Sequence, residues 1–338
     1  MQNQSVLVTG GAGFIGSELV RQLAERNFRV RVVDNLVSGK RENLDGVPVE
    51  RFELIVADVR DKNLMASLTD GTDVIFHLAC LGVRHSIHSP VENHEVNATA
   101  TLGLLNAARN NAVHRFVYVS SSEAYGTVKT VPLTEEHPTV PTTVYGASKL
   151  AGESYTRAFW ETYRYPTVVL RPFNTYGPRC HHEGDSGEVI PKFMLRCMAR
   201  KPMVIFGDGT QTRDFTYVSD TAGGILAAGL SDDCVGHTIN LGSGKEIEIR
   251  ELASRVASVL NRPSAEITHV ESRPGDVPRS LSECSKARKV LGFQPSVTLH
   301  DGLTRLRDWY SSQAKSPEEL LKQEIIRNCE PRDVASHV

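Results

Sequence analysis

Ser5-Val-Leu-Val-Thr-Gly-Gly-Ala-Gly-Phe-Ile-Gly16 decides the fold. Its first five residues read as a short buried strand. Ser17 to Glu25 then carries apolar side chains at positions 19, 20 and 23, the spacing of one helix face. A glycine turn between a strand and a helix is the setting in which backbone N–H groups cradle a dinucleotide. Gly10 permits the turn, Gly13 lets the backbone approach a pyrophosphate, and Gly16 lets helix pack on strand; the spacing is G-x-x-G-x-x-G. A second strand, Val30 to Asp34, ends in a carboxylate placed to accept hydrogen bonds from an adenosine ribose and to repel a 2′-phosphate. NAD is therefore expected over NADP.

Further strands are expected at Glu53–Ala57, Asp73–His77, Arg115–Val119 and Thr167–Arg171, with helices near 61–69, 91–110 and Tyr145 to about Arg164. The alternation predicts an α/β fold, a doubly wound parallel Rossmann sheet with a smaller C-terminal α/β substrate lobe. The expected organisation is a dinucleotide-binding domain over 1–172, a mainly substrate-binding lobe over 173–315, and a C-terminal helix and tail over 316–338. The lobe contains helices near 188–200, 219–230, 249–261 and 299–313 and a strand at Met203–Phe206. Ser316-Pro-Glu-Glu319 has the form of a capping box with proline at the first helical position. Asp58, Asn97 and the His77-Leu78-Ala79 turn fall at strand ends or helix starts along the ligand edge, where capping and cofactor contact are equally open.

Net charge is −2 over 338 residues, with no basic excess of the kind a nucleic-acid groove carries. The six cysteines are scattered without a Cys-x-x-Cys pair, so neither a disulfide framework nor a zinc site is indicated. No apolar run approaches membrane-span length, and Met1 leads into the first strand without a signal-like segment, so a cytoplasmic protein without membrane partners is expected.

Two stretches look like one active site. Ser120-Ser-Ser-Glu-Ala-Tyr-Gly126 follows a buried strand and ends it in hydroxyls. Tyr145-Gly-Ala-Ser-Lys149 opens a helix, where residues four apart share a face. An ammonium beside a phenol favours the phenolate, so Lys149 is expected to lower the pKa of Tyr145, and a strand-end hydroxyl completes a proton relay to a substrate alcohol. Cys180-His-His-Glu-Gly-Asp185 gathers metal-type side chains, but adjacent loop residues rarely converge on one ion; a substrate-covering loop is the expectation, with no metal.

With these motifs in place, residues 5 to 312 resemble the nucleotide-sugar epimerase/dehydratase branch of the extended short-chain dehydrogenase/reductases. Arg171-Pro-Phe-Asn174, Tyr176-Gly-Pro178, Gly207-Asp-Gly209, Thr212-Arg-Asp-Phe215 and Arg273-Pro-Gly-Asp276 complete the pattern. The resemblance implies Tyr145 as acid/base for a sugar 4-hydroxyl, with Lys149, Ser121, Ser122 and Glu123 beside it. It implies NAD held by Gly10, Gly13, Phe14, Ile15, Gly16, Asp34, Asn35, Asp58, Leu78, Ala79, Asn97, Tyr145 and Lys149. It places a nucleotide-diphosphate sugar, with UDP favoured, against Ser86, Asn174, Phe206, Arg213, Arg273 and Asp276. It also implies a homodimer through the helices at 91–110 and 144–164, with Leu102, Leu104 and Leu105 against Ala158 and Phe159, although an internal core role for these residues is equally open. The reaction stays open: 4-epimerisation leads, Glu123 keeps 4,6-dehydration and uronate decarboxylation in play, and a non-catalytic NAD sensor is the alternative from another class.

Overall fold

The structure is a computed structural model that describes residues 4–128, 130–184, 186–272 and 277–326. Its centre is a seven-stranded, all-parallel sheet. In chain order the strands are β1 (Ser5–Thr9), β2 (Arg29–Asp34), β3 (Phe52–Val56), β4 (Val74–His77), β5 (Arg115–Val119), β6 (Thr167–Pro172) and a seventh, Thr238–Leu241. Across the sheet the order is seventh, β6, β5, β4, β1, β2, β3, so the direction of winding reverses between β1 and β4. That reversal opens a crevice at the carboxyl ends of the strands, where ligands of such sheets bind.

Period-two alternation sorts the side chains between two layers. Val6, Val8, Val32, Phe76, Val117 and Leu170 face α1 (Phe14–Glu25) and a later helix, Val218–Leu230, meeting Leu19, Leu23, Ile225 and Leu226. Leu7, Val33, Ile75, Phe116 and Val169 face the opposite way, onto α2 (Lys62–Thr69) and the helices Ala100–Asn110 and Val144–Tyr163. Both faces are covered, which is why the strands read in sequence as nearly unbroken apolar runs.

The remaining helices preceding the second lobe are α3 (Val83–His88), α4 (Pro90–His94), α5 (Ala100–Asn110) and α6 (Val144–Tyr163). The single helix expected over 91–110 is divided, because a π-helical turn at Glu95–Thr99 separates α4 from α5. Buried Asn93 precedes this turn and buried Asn97 lies within it. Their side-chain amides donate to the Leu81 carbonyl oxygen at 2.8 and 2.9 Å, and the Asn97 side-chain oxygen accepts from the Leu81 N–H at 2.8 Å. His85 and His88 lie on the short helix α3.

Leu104, Leu105 and Phe159 enter the chain's own core, while Leu102, 39% exposed, and Ala158 stay on the surface. The boundary expected at 172 is where the chain first leaves the sheet, but it does not leave for good. Helix Val218–Leu230 and strand Thr238–Leu241 return to complete the first layer and the sheet edge. The rest of the second half packs its own core around α7 (Val189–Met198) and the helices Ile249–Val259 and Leu299–Ser311. The capping box at Ser316 and Glu319 forms as expected, although the helix it opens is only Pro317–Leu320.

One buried ion pair fastens α6 to the sheet. Glu153, fully buried, accepts from Arg171 Nε at 2.9 Å and Nη2 at 2.6 Å, from Ser120 Oγ at 2.6 Å and from Arg157 Nη1 at 2.9 Å. Removing the carboxylate would leave a guanidinium with 2% exposure and no counter-charge. Glu153→Ala is expected to cost about 3–5 kcal/mol in urea denaturation; an unchanged midpoint would show that the pair contributes nothing to the fold.

Candidate active site

A cleft of about 590 Å³ runs along the carboxyl edge of the sheet and under α7. The glycine turn forms one end of it. Gly10 has φ +70°, and a Cβ there would stand 2.7 Å from the Ala79 backbone nitrogen; a Cβ on Gly16 would stand 2.1 Å from the Gly10 carbonyl oxygen. Both positions therefore exclude a side chain: at Gly10 the turn packs against the Ala79 backbone, and at Gly16 the start of α1 packs against the turn itself. Asp34 is buried at the end of β2, where its carboxylate accepts the Ala12 N–H at 3.0 Å and the Leu36 N–H at 2.9 Å. Burial raises its pKa against these hydrogen bonds.

Gly10, Gly13, Phe14, Ile15, Gly16, Asp34, Asn35, Leu78 and Ala79 all line the cleft. Two other cofactor candidates stand behind the wall. Asp58 is bound to Arg60, which with backbone and Asn35 hydrogen bonds holds its carboxyl down at about 2, and Asn35 donates to it at 3.1 Å. Asn97 is buried and spends its amide on Leu81, Asn93 and Ser148. Both support lining residues and are not themselves on the wall: Ala57, Val59 and Val96 are.

The residues expected to move protons line the cleft where β5 ends and α6 begins. Thr143 caps α6, its hydroxyl accepting from the Gly146 N–H at 3.0 Å. Ser121 caps the one-turn helix Ser122–Ala124 and accepts from the Glu123 N–H at 3.2 Å. Its hydroxyl faces the Tyr145 phenol and favours the phenol's charged form. Ser121, Ser122, Glu123, Tyr145 and Lys149 all line the cleft.

The expected electrostatic partnership of Lys149 with Tyr145 takes another form. The Lys149 ammonium, 1% exposed, donates to the Val119 carbonyl oxygen at 2.6 Å and lies 4.6 Å from the Tyr118 ring centroid. Burial lowers its pKa. Around Tyr145, burial comes first and Cys80, Glu123 and Glu188 add negative charge, so the phenol is pushed well above the ordinary tyrosine range despite the Ser121 hydroxyl. Tyr145 rests as a neutral phenol.

On the second lobe, Asn174, Phe206 and Arg213 line the cleft. Asn174 donates to the Asp214 carbonyl oxygen at 3.3 Å, and Arg213 Nη1 donates to the carbonyl oxygens of Thr212 and Val277, each at 2.7 Å. Asp214, fully buried, fixes this strand by accepting from the backbone and hydroxyl of both Ser243 and Ser282. Ser86 is buried on α3 with its hydroxyl donating to the Val83 carbonyl oxygen at 2.7 Å. Its neighbours Val83 and Arg84, not Ser86, reach the wall. Arg273 and Asp276 lie outside the described residues.

The stretch from Cys180 splits between structure and site. His181 lines the cleft, His182 packs edge-on against Tyr310, and Glu183 pairs with Lys40 of the first half; Asp185 lies outside the described residues. Among the described residues no cluster of His, Cys, Asp or Glu is arranged to hold a metal, and no helix is long and apolar enough to cross a membrane. Sequence reasoning missed Glu188 and the segment of Glu324 and Ile326, which also line the cleft. Glu188 is open to the cleft, yet protein surrounds it so densely that burial pushes its carboxyl up to about 8.

Two measurements address this geometry. Tyr145→Phe keeps the cradle and removes the proton, so turnover is expected to fall by about 100-fold or more while NAD binding, read by calorimetry, stays unchanged. Asp34→Ser is expected to erode the preference for NAD over NADP by about tenfold or more, since a like charge is no longer placed beside the 2′-phosphate; equal affinities in the native protein would refute that role.

Comparison with known proteins places the chain. The family described as GDP-mannose 4,6 dehydratase matches residues 7–306. A UDP-glucose 4-epimerase of Mycolicibacterium smegmatis is 36% identical over 313 residues, 91% of this chain and 99% of that protein. The structure of a UDP-N-acetylglucosamine 4-epimerase from Methanobrevibacter ruminantium, in complex with UDP-N-acetylmuramic acid, superposes with a TM-score of 0.87 at 34% identity, covering 92% of this chain and 99% of that one. A UDP-glucuronic acid 4-epimerase from Bacillus cereus, in complex with UDP-glucuronic acid and NAD, gives 0.84 at 31% identity, with 90% and 98% covered. Dehydratases and decarboxylases of nucleotide sugars match over comparable lengths of this chain. A glycine turn, a buried carboxylate at the end of β2 and the Ser121, Tyr145 and Lys149 side chains thus meet on one sheet edge, and the chain is an enzyme of the NAD-dependent nucleotide-sugar epimerase/dehydratase family, within the extended short-chain dehydrogenase/reductases.

Proposed function

We propose that the chain is a 4-epimerase of nucleotide-diphosphate sugars, with UDP the favoured nucleotide, working through a transient 4-keto sugar. The observation that carries this reading is the composition of the wall beside Tyr145. Ser121 and Ser122 present hydroxyls, and Glu123 alone of the three presents an acid. Proton movement at a 4-hydroxyl needs Tyr145 and a relay hydroxyl and nothing more. Eliminating water needs an acid for the leaving hydroxyl as well as a base at C5.

The glycine turn, Asp34 and Lys149 would hold NAD, which when bound supplies the acceptor for the C4 hydride and its return. Tyr145 is neutral at rest and must first give up its own proton; as the phenolate it would take the 4-hydroxyl proton, with Ser121 as relay, and give it back once the 4-keto sugar has presented its other face. Arg213 and Asn174 suit the diphosphate and nucleotide end, a guanidinium matching phosphate oxygens in fork geometry. The UDP-sugar complexes of the related structures support the choice of nucleotide.

Glu123 supports the second reading, 4,6-dehydration, because it faces the same cleft and acts on the same phenol. Running the native enzyme in deuterated water separates the two. Epimerisation yields an isomer of unchanged mass without carbon-bound deuterium, whereas dehydration loses water and labels C5. The unlabelled isomer is expected; deuterium at C5 with loss of water would overturn the epimerase reading. Glu123→Gln should then lower epimerase turnover less than about tenfold, near 1.4 kcal/mol.

The same reading includes a homodimer, with the outward Leu102, Val144, Ala158 and Tyr163 of α5 and α6 as the contact face. A sedimentation coefficient of a monomer at micromolar concentration would exclude it.

A further inference from the structure

Most of the cleft wall belongs to elements that carry core side chains. The sheet edge and α6 are fastened by the Glu153 pair, and α7 sets Ile190, Phe193 and Met194 in the second core. One piece of the wall has no such hold. After the short helix Pro317–Leu320, Leu321 is the last of the described residues to join that core, and Lys322 and Gln323 are exposed. The chain then runs into the wall, where Glu324 and Ile326 line the cleft and Ile326 stays 42% exposed.

Three polar contacts hold this segment. The Gln323 carbonyl oxygen accepts the Gly184 N–H at 2.7 Å, the Glu324 carboxylate accepts from Arg196 Nη1 at 2.8 Å, and the Ile325 carbonyl oxygen accepts from Lys192 Nζ at 2.7 Å. Gly184 and Glu324 also meet as a one-residue parallel bridge. Arg196 and Lys192 line the cleft from α7, and Gly184 follows Glu183, which ties its loop to Lys40 of the first half. The segment is thus strapped across the helix and the loop that cover the cleft. Its strongest tie is the ion pair, because the Arg196 and Glu324 side chains are only 11% and 9% exposed and solvent screens them less than a surface pair. A strap held by one ion pair and two backbone hydrogen bonds can open while the rest of the protein stays folded, whereas moving any other wall breaks a core.

We propose that the Arg196–Glu324 ion pair is the latch of a gate: the segment Gln323–Ile326 leaves the cleft to admit and release the nucleotide sugar, and closes over it in between. The inference deepens the epimerase reading and rests on it for its purpose, since a transient 4-keto sugar has to be kept until the hydride returns, and closure keeps reactive intermediates from escaping. Arg196 and Glu324 are positioning residues, acting on the strap and not on the reacting atoms. The latch favours the closed strap whether or not a ligand lies beneath it. Weakening it therefore speeds entry and exit alike and leaves affinity nearly unchanged. A side chain that gripped the ligand would instead change affinity, chiefly through the exit rate.

The test is stopped-flow association and dissociation of UDP and, in parallel, dTDP, each carrying a fluorescent reporter, on the full-length, NAD-loaded protein. Glu324→Gln keeps the side chain's shape and removes its charge. It is expected to raise both rate constants by about tenfold, the scale of one charge-assisted hydrogen bond, and to leave Kd within about threefold. Arg196→Gln should do the same, and the double variant should exceed the faster single variant by less than about twofold, because both substitutions undo one latch. Arg196 also donates to the Pro202 carbonyl oxygen, so Glu324→Gln carries the test if the arginine variant fails to fold. Rates unchanged in Glu324→Gln would overturn the proposal, as would a Kd that weakens in step with the exit rate, which would make the pair a direct ligand contact. A native protein that binds neither nucleotide would overturn it together with the nucleotide-sugar reading. Because these rates are read without turnover, the gate can fail while an unlabelled isomer still forms in deuterated water, and it can hold where no isomer forms.

Discussion

The buried carboxylate of Glu153 is the fixed point of the catalytic edge. Burying an ion pair costs several kcal/mol of desolvation per ion, which geometry repays only when every lone pair is used. Here both oxygens are, by Arg171, Ser120 and Arg157. The pair joins α6 to β6 and, through Ser120, to the end of β5. Tyr145, Lys149 and Glu153 recur every four residues, so they form one stripe along α6. Each member of the stripe meets the chain where β5 ends: Glu153 at Ser120, Lys149 at Val119 and Tyr145 at Ser121. Because the helix is rigid, fixing it at Glu153, near its middle, sets the position of the phenol two turns away.

A comparable device positions the second lobe. Asp214 is fully buried and gathers the Ser243–Gly244 turn and Ser282 onto one carboxylate. The strand that carries it also carries Arg213 and pairs antiparallel with Glu246–Glu248. The two walls of the cleft are therefore each set by one acid with its donors supplied. Glu123 and Glu188, by contrast, line the cleft itself.

The sheet was legible because its strands are covered on both faces and must be apolar throughout, and the glycine turn because sterics leave no other residue at Gly10 or Gly16. Local patterns fail where a distant segment supplies a side chain's partners. Asn93 and Asn97 look like ordinary helix residues, yet their amides bind Leu81, and a π-helical turn at Glu95–Thr99 divides the helix expected at 91–110. Strand Thr238–Leu241 is four residues long and pairs with β6 from the far side of a helix, a contact no local pattern encodes. Glu153 and Glu188 have the sequence surroundings of solvated helical acids. Only the neighbours brought by distant segments show that one is an ion-paired anchor and the other faces the cleft.

The Lys149 position is where sequence logic and structure diverge most usefully. Spacing alone places an ammonium beside a phenol, but spacing does not say which acceptor the ammonium will choose. It takes the Val119 carbonyl oxygen, and Tyr145 is left among Cys80, Glu123 and Glu188 as a neutral phenol. A protein that only sensed a dinucleotide would need the glycine cradle and Asp34. It would gain nothing from burying an ammonium and a phenol whose desolvation opposes their charged forms. Such groups are kept where a proton must move, since a desolvated phenol with one relay hydroxyl responds strongly to whatever charge a bound ligand brings. The cost carried by these buried groups is itself the physical argument for a catalytic site on this sheet edge.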